Sequence, residues 1–136
     1  MNIIVCVDNR MGTMFNHRRQ SRDSVLCQRV ASLAGDARLF LNAYSYELFK
    51  DFCVNIIQSE HFLSVAGKGD YCFVEGEDLL PFAKKVESII LFRWNRDYPS
   101  DKKLDIDLSK DWILNHAEEF KGSSHEKITM ENYVRG

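Results

Sequence analysis

Long apolar runs are missing from this sequence of 136 residues. No stretch approaches the ~20 residues that a membrane-crossing helix needs. The first segment, Met1 to Asp8, is apolar but has neither a basic leader nor a small-residue cleavage site, so it reads as a strand of the fold and not as an export signal. CxxC pairs are absent too. The four cysteines, Cys6, Cys27, Cys53 and Cys72, stand far apart, and Cys6 and Cys72 lie inside apolar runs where a thiol behaves as a small hydrophobe. That usage excludes zinc-ligand spacing, favours reduced thiols, and points to the cytoplasm. Repeats, low-complexity tracts and linkers are also lacking, so one domain over residues 1–136 is expected, of a size that buries a real core.

Charge is nearly balanced, at −2, but unevenly placed. Residues 1–50 hold seven Lys/Arg against four Asp/Glu, a net of +3, and the remainder holds eleven against sixteen, a net of −5. This balance argues against bulk coating of nucleic acid, and no DNA partner is expected. The N-terminal patch leaves room for one anionic ligand, because Arg10, Arg18, Arg19, Arg22 and Arg29 fall close together and a guanidinium fork grips carboxylate or phosphate at two points.

Asn2 to Val7 (NIIVCV) is a continuous apolar run, as a central strand covered on both faces requires. Asp8 to Gly12 (DNRMG) reads as a turn, followed by a polar loop through Gln20. Ser21 is placed as an N-cap and Asp23 in the first turn of a helix that Gly35 ends. Arg38–Asn42 predicts a strand, Tyr44–Phe52 a helix, Val54–Gln58 and Asp70–Glu75 strands, Gly76–Val86 a helix and Ser88–Trp94 a further buried strand. Leu104–Leu108 alternates apolar and acidic residues as a half-exposed strand does. Trp112–Phe120 and Lys127–Val134 predict a closing antiparallel pair. The expected class is α/β, three-layered, with a mostly parallel central sheet and an antiparallel C-terminal hairpin.

Over nearly the whole chain this order resembles that of dihydrofolate reductases, shortened. The fragments that carry the resemblance are the first strand with Asp8-Asn9-Arg10-Met11-Gly12, and Asp23 at the start of the first helix. Further along, Tyr71-Cys72-Phe73-Val74-Glu75-Gly76 precedes a helix and then Ile89-Ile90-Leu91-Phe92. Last come Leu104–Leu108, Trp112 and Ser124-His125-Glu126-Lys127. The resemblance implies an acid at Asp23 and a cofactor diphosphate over the glycines before the helix. Only Gly76 of that pair is present, flanked by Glu75, Glu77 and Asp78, and carboxylates there take the place an anion would use. Asn42-Ala43-Tyr44-Ser45 lacks the arginine that the family sets against cofactor phosphates, and Ile106 stands where a threonine would support the acid. No cofactor is therefore expected. The stretch Asn16–Asp23 (NHRRQSRD) is similar to that of short bacterial proteins labelled ribonuclease Z, but the four histidines, at 17, 61, 116 and 125, form no HxHxDH zinc motif.

Each candidate for chemistry has a plain structural counterpart. In His17–Asp23, arginines clamp an anion while His17 or Asp23 handles a proton; alternatively the loop is solvated and its Ser21 and Asp23 cap a helix. Gly67-Lys68-Gly69 is short of a phosphate loop and reads as a turn. Asp101, Asp105, Asp107 and Asp111 lack calcium-loop spacing and read as a solvated face. His125-Glu126 reads as a surface turn, and Trp94 and Trp112 as core or edge-covering residues. The leading expectation is a non-redox module holding a nucleotide or other small anion through Arg10, Arg18, Arg19 and Arg22. A ribonuclease using His17 or His125, and a divergent NADPH-dependent reductase with cofactor at Gly76, are the alternatives; no metal and no membrane partner are expected.

Overall fold

A computed structural model describes residues 1–53 and 55–136. Seven strands form one sheet in the order β5-β4-β6-β1-β7-β10-β9. They are β1 (Asn2–Val7), β4 (Leu39–Leu41), β5 (Ile56–Gln58), β6 (Tyr71–Val74), β7 (Ser88–Arg93), β9 (Trp112–Phe120) and β10 (Ile128–Arg135). The apolar run of β1 takes the central position, paired in parallel with β6 on one side and β7 on the other. β10 runs antiparallel to β7, and β9 antiparallel to β10 along the edge. The mostly parallel sheet with an antiparallel hairpin is thus the one expected.

Period-two alternation splits the sheet's side chains between two cores. Ile3, Val5 and Val7 join Phe40, Val74 and Leu91 on one face, which α3 (Phe62–Val65) and a 3-10 turn (Leu80–Lys85) cover. Ile4 joins Leu41, Phe73, Ile90 and Phe92 on the other, beneath α1 (Ser24–Ala34) and α2 (Ala43–Phe49). Among the described residues no helix is long and apolar enough to cross a membrane.

Four expectations are corrected. The polar loop after Gly12 is a hairpin, with β2 (Gly12–Phe15) and β3 (Arg18–Arg19) joined by Asn16 and His17. Both turn residues have positive φ, 53° and 61°, the geometry of a two-residue turn that asparagine favours. This hairpin and β8 (Lys102–Lys103) make a small second sheet, in the order β3-β2-β8. The cap of α1 is Asp23, not Ser21, because the Asp23 carboxylate accepts the amides of Val25 and Leu26 at 2.9 and 3.1 Å.

Residues 76–86 form no α-helix. Gly76 turns with φ 93°, and Pro81 opens a 3-10 turn whose first amides, Leu79 and Leu80, bond to the Asp105 carboxylate. Leu104–Leu108 is not a strand; its alternation arises because Ile106 is buried in the core while Asp105 faces that 3-10 turn. Val54, part of the expected third strand, lies outside the described residues.

Gly76 is required on two counts. Its φ is one that side chains rarely adopt, and an added Cβ would sit 2.5 Å from the Met14 sulfur under the small sheet. Gly76→Ala is expected to cost about 1–3 kcal/mol through backbone strain, read as a lower urea midpoint with an unchanged denaturant slope.

Candidate functional site

Ligand clefts in open α/β sheets lie beyond the C-terminal ends of the strands. Here β1 ends at Cys6 and Val7, and β6 at Val74, facing the start of α1. A narrow cavity of about 20 Å³ lies between them, lined by Cys6, Leu26, Cys27, Phe73 and Trp94 below and by Arg19, Gln20, Ser21, Arg22 and Glu75 at its rim. The Gln20 side-chain oxygen is buried there without a partner among the described residues. Burial holds the Cys6 thiol well above its usual range, with the Glu75 charge adding to the effect, and pushes Cys27 up to about 12. Both are therefore neutral thiols near pH 7, and the floor of the cavity is apolar.

The turn leaving β1 is organised by Asp8, a buried carboxylate that accepts the amides of Gly12, Arg10 and Tyr98 at 2.8, 2.9 and 3.2 Å. Gln20 donates to it at 3.2 Å, which ties β3 to the end of β1. Beyond β6, Arg19 donates twice to Glu75, at 2.8 and 2.9 Å, while its fork stacks over Tyr44 with the central carbon 4.2 Å from the ring centre. Ser45 donates to the same carboxylate at 2.8 Å. Glu77 accepts from the Glu75 amide at 3.0 Å and from Asn42 at 2.6 Å. Burial works against the Arg19 charge, but hydrogen bonding and attraction to Glu75 outweigh it and raise its pKa. Burial raises the Glu77 pKa, and the nearby Glu75 charge adds to the rise.

Carboxylates thus stand at the place that the resemblance gives to a cofactor diphosphate, beside an open cleft of about 430 Å³ lined by Gly76, Glu77 and Asp78. Asn42 and Ser45, where the family would contact phosphate, hold Glu77 and Glu75 instead. A second would-be cradle is filled in the same manner: the amides of Gly67 and Gly69 bond to the carboxylates of Asp70 and Glu87, at 2.8 and 2.9 Å. The residues present do not fit a dinucleotide in the reductase manner, and Gly76 is a tight turn beneath Met14.

Asp23 is held on the opposite side of the cavity. Its Oδ1 caps α1, and its Oδ2 accepts the Ser124 amide at 2.7 Å and the Ser124 hydroxyl at 3.0 Å. The side chain has no solvent exposure. Burial alone would raise its pKa, yet the amides of Ser123, Ser124 and Leu26 and the Ser124 hydroxyl overcome that and hold it well below the usual carboxylate range. Ser124 also lies 2.8 Å from His125 Nδ1, while His125 Nε2 is 2.8 Å from the Tyr98 hydroxyl and 3.4 Å from Ser21 Oγ. The ring packs on Trp94, with centroids 4.6 Å apart. Burial and the Arg96 charge lower the His125 pKa against the pull of Asp23, so the ring is neutral near pH 7.

The sequence-expected residues are therefore scattered. His17 is exposed at a hairpin tip, and no hydrogen bond or ion pair joins it to Asp23. Arg19 faces Glu75. Arg10 is exposed and only approaches Asp97, at 3.9 Å. Arg18 and Arg22 are exposed and have no carboxylate partner among the described residues; Arg22, with Asp23, Cys27 and Leu48, lines both the cavity and an adjoining cleft of about 430 Å³ that Ser24, Ser123 and Ser124 also line. His125-Glu126 is not a plain surface turn, since His125 is 4 % exposed. Asp101 caps the small hairpin at Asn16, Asp105 caps the 3-10 turn, and Asp107 caps its own turn at Ser109, so these aspartates serve separate loops.

Asp23→Asn puts a donor where Ser124 already donates and removes a charge from four hydrogen bonds. A loss of about 2–3 kcal/mol at pH 7 is expected, measured by urea unfolding. The sign follows from the depressed folded pKa: the wild-type contribution is present above the unfolded value of about 4 and is lost as pH falls toward the folded one. The difference between the two proteins should shrink on acidification below about pH 4; a constant gap would show that the carboxylate charge is not what stabilises.

No family model matches the chain, and no curated protein matches it in sequence. Among solved structures it is similar to a dihydrofolate reductase from Enterococcus faecalis, complexed with NADP(H) and RAB-propyl. The TM-score is 0.71, at 12% identity, over 99% of this chain and 95% of that one. Likeness at such low identity is likeness of fold. The chain has a dihydrofolate reductase-like α/β fold.

Proposed function

We infer that this reductase-fold protein is a non-redox module that binds a small anion, of the nucleotide or phosphorylated-metabolite class, in the cleft at Arg22 that adjoins the cavity between β1, β6 and α1. The observation that carries the reading is the closure of the β6 end by Arg19, Glu75 and Glu77, while Arg22 stands unpaired where the cavity meets its neighbouring cleft. An anion at Arg22 also meets the hydroxyls of Ser24, Ser123 and Ser124, in a cleft whose other polar lining is Asp23, Glu47 and Asp51. Leu48 and Phe52, which line the same cleft, offer apolar contact to a base or other flat ring attached to that anion. Arg18 and Arg10 lie outside the cavity lining and contribute only to the surrounding potential.

A second reading, a divergent NADPH-dependent reductase, is supported by the likeness in fold to a reductase complexed with NADP(H). It requires the diphosphate to displace an internal ion pair from Gly76. A ribonuclease working through His17 or His125 has less behind it, because His125 is buried with both ring nitrogens engaged.

One set of titrations separates these readings. Nucleoside mono- and diphosphates are expected to raise the melting temperature of the wild type above the rise given by matched salt, and Arg22→Ala is expected to abolish that rise. NADPH fluorescence is expected to stay unquenched at about 100 μM, a concentration well above the Kd of a working cofactor site. No anion-specific stabilisation would end the first reading; micromolar NADPH quenching would establish the second.

A further inference from the structure

The outer face of the small sheet carries an exposed ring among cations, on the far side from the cavity. Cross-strand register places Met14 opposite Arg19 and Phe15 opposite Arg18. Met14 is buried and Arg19 reaches inward to Glu75, so alternation turns Phe15 and Arg18 outward. Phe15 is 48% exposed. A shallow groove of about 570 Å³ runs beside it, lined by Arg10, Lys103, Asp97, Tyr98 and Ser100.

A lone exposed phenylalanine needs no explanation. This one is different in its surroundings. Arg18, across the strand pair from Phe15, and Lys103, in the groove, are exposed and have no carboxylate partner among the described residues, and Arg10, 3.9 Å from Asp97, has 68% of its side chain in solvent. Phe15 stands on a strand next to a two-residue turn, which fixes where its side chain leaves the backbone. An aromatic face flanked by exposed cations is what a single strand of nucleic acid uses: bases stack on the ring, and phosphates track the charges.

We propose that this face binds single-stranded RNA, with a base stacked on Phe15 and the flanking phosphates on Arg18, Lys103 and Arg10. RNA is favoured over DNA because the groove also holds Asp97, 61% exposed, and Ser100. A carboxylate repels phosphate but accepts a hydrogen bond from a 2′-hydroxyl, which only RNA carries. The surface shares no residue with the Arg22 cleft, so it stands or falls independently of the small-anion reading.

The test is anisotropy of a fluorescein-labelled RNA of about ten nucleotides, titrated with the full chain at several salt concentrations. Saturable binding is expected. Phe15→Ala should weaken it about tenfold, and Arg18→Ala and Lys103→Ala should each lower the salt slope by about 0.7. Melting curves of these surface variants should match the wild type, which separates lost binding from lost folding. DNA of the same sequence should bind more weakly, and Asp97→Asn should narrow that difference. Absence of binding, indifference to Phe15→Ala, equal affinity for DNA, or equal competition by polyglutamate would overturn the proposal.

Discussion

A doubly hydrogen-bonded ion pair, Arg19 with Glu75, joins the small sheet to the end of a central strand. Both side chains are mostly withdrawn from solvent, at 19% and 9% exposure. Removing two charges from water costs several kcal/mol per ion, and attraction repays this only when geometry is good and the remaining lone pairs are satisfied. The pair meets both conditions. The fork is bidentate, Ser45 supplies a further donor to the carboxylate, and Tyr44 lies under the guanidinium. Losing either partner strands a charge that has no other ion-pair partner among the described residues. The position of β3, and with it the hairpin that roofs Gly76 through Met14, therefore depends on this contact.

The same logic recurs on the far wall of the cavity. Asp23 stands at the start of α1, where an α/β enzyme would present an acid, but every acceptor position on it is taken by helix amides and by Ser124. Gly122 leaves no room for a side chain against it. The segment between β9 and β10 is thereby clasped to the first helix. Asp23, Ser124, His125 and Tyr98 form a continuous hydrogen-bonded chain from the interior to a partly exposed phenol. Two carboxylates that border the cavity are thus spent on joining pieces of the fold. Between them, the cavity keeps an apolar floor and the exposed Arg22.

How much of this was legible depends on how local the physics is. β1, β6 and β7 are read from unbroken apolar runs, and α1 from a stripe ended by Gly35 with φ 54°, because a few neighbouring residues decide each. Glu75 and Glu77 as occupants of the cofactor's place are visible as soon as the glycine pair is seen to be broken. The partners that hold them are not, since Arg19 lies 56 positions away from Glu75 and Asp23 101 away from Ser124. Clustered arginines look alike in sequence whether they face solvent, like Arg18, or a buried carboxylate, like Arg19. Adjacent positions on a strand point to opposite faces, and the hairpin that sets which is which reads as a polar loop in sequence. The alternation in Leu104–Leu108 misled for a related reason: Asp105 serves a capping role that mimics the polar face of a strand.

Proton chemistry offers a final constraint on what the cavity does. A general acid or base works best with a pKa near the working pH. Hydrogen bonds lower the pKa of Asp8 and Asp23 despite their burial, and burial with the Arg96 charge lowers His125 below its ordinary 6.5. All three move away from neutrality, each in the direction that keeps one protonation state throughout the neutral range. Their shared consequence is acid lability, because depressed folded values mean stability present at neutral pH and lost as pH falls. Glu77 moves the other way, raised by burial. Its contribution opposes the others, favouring the fold at low pH and declining as pH rises through the raised value. Glu77 is bonded to Asn42 and to the Glu75 amide and lines a separate cleft at Gly76. Groups pinned in this manner hold a shape and a potential, and Asp8, Asp23 and His125 each keep one protonation state near neutral pH.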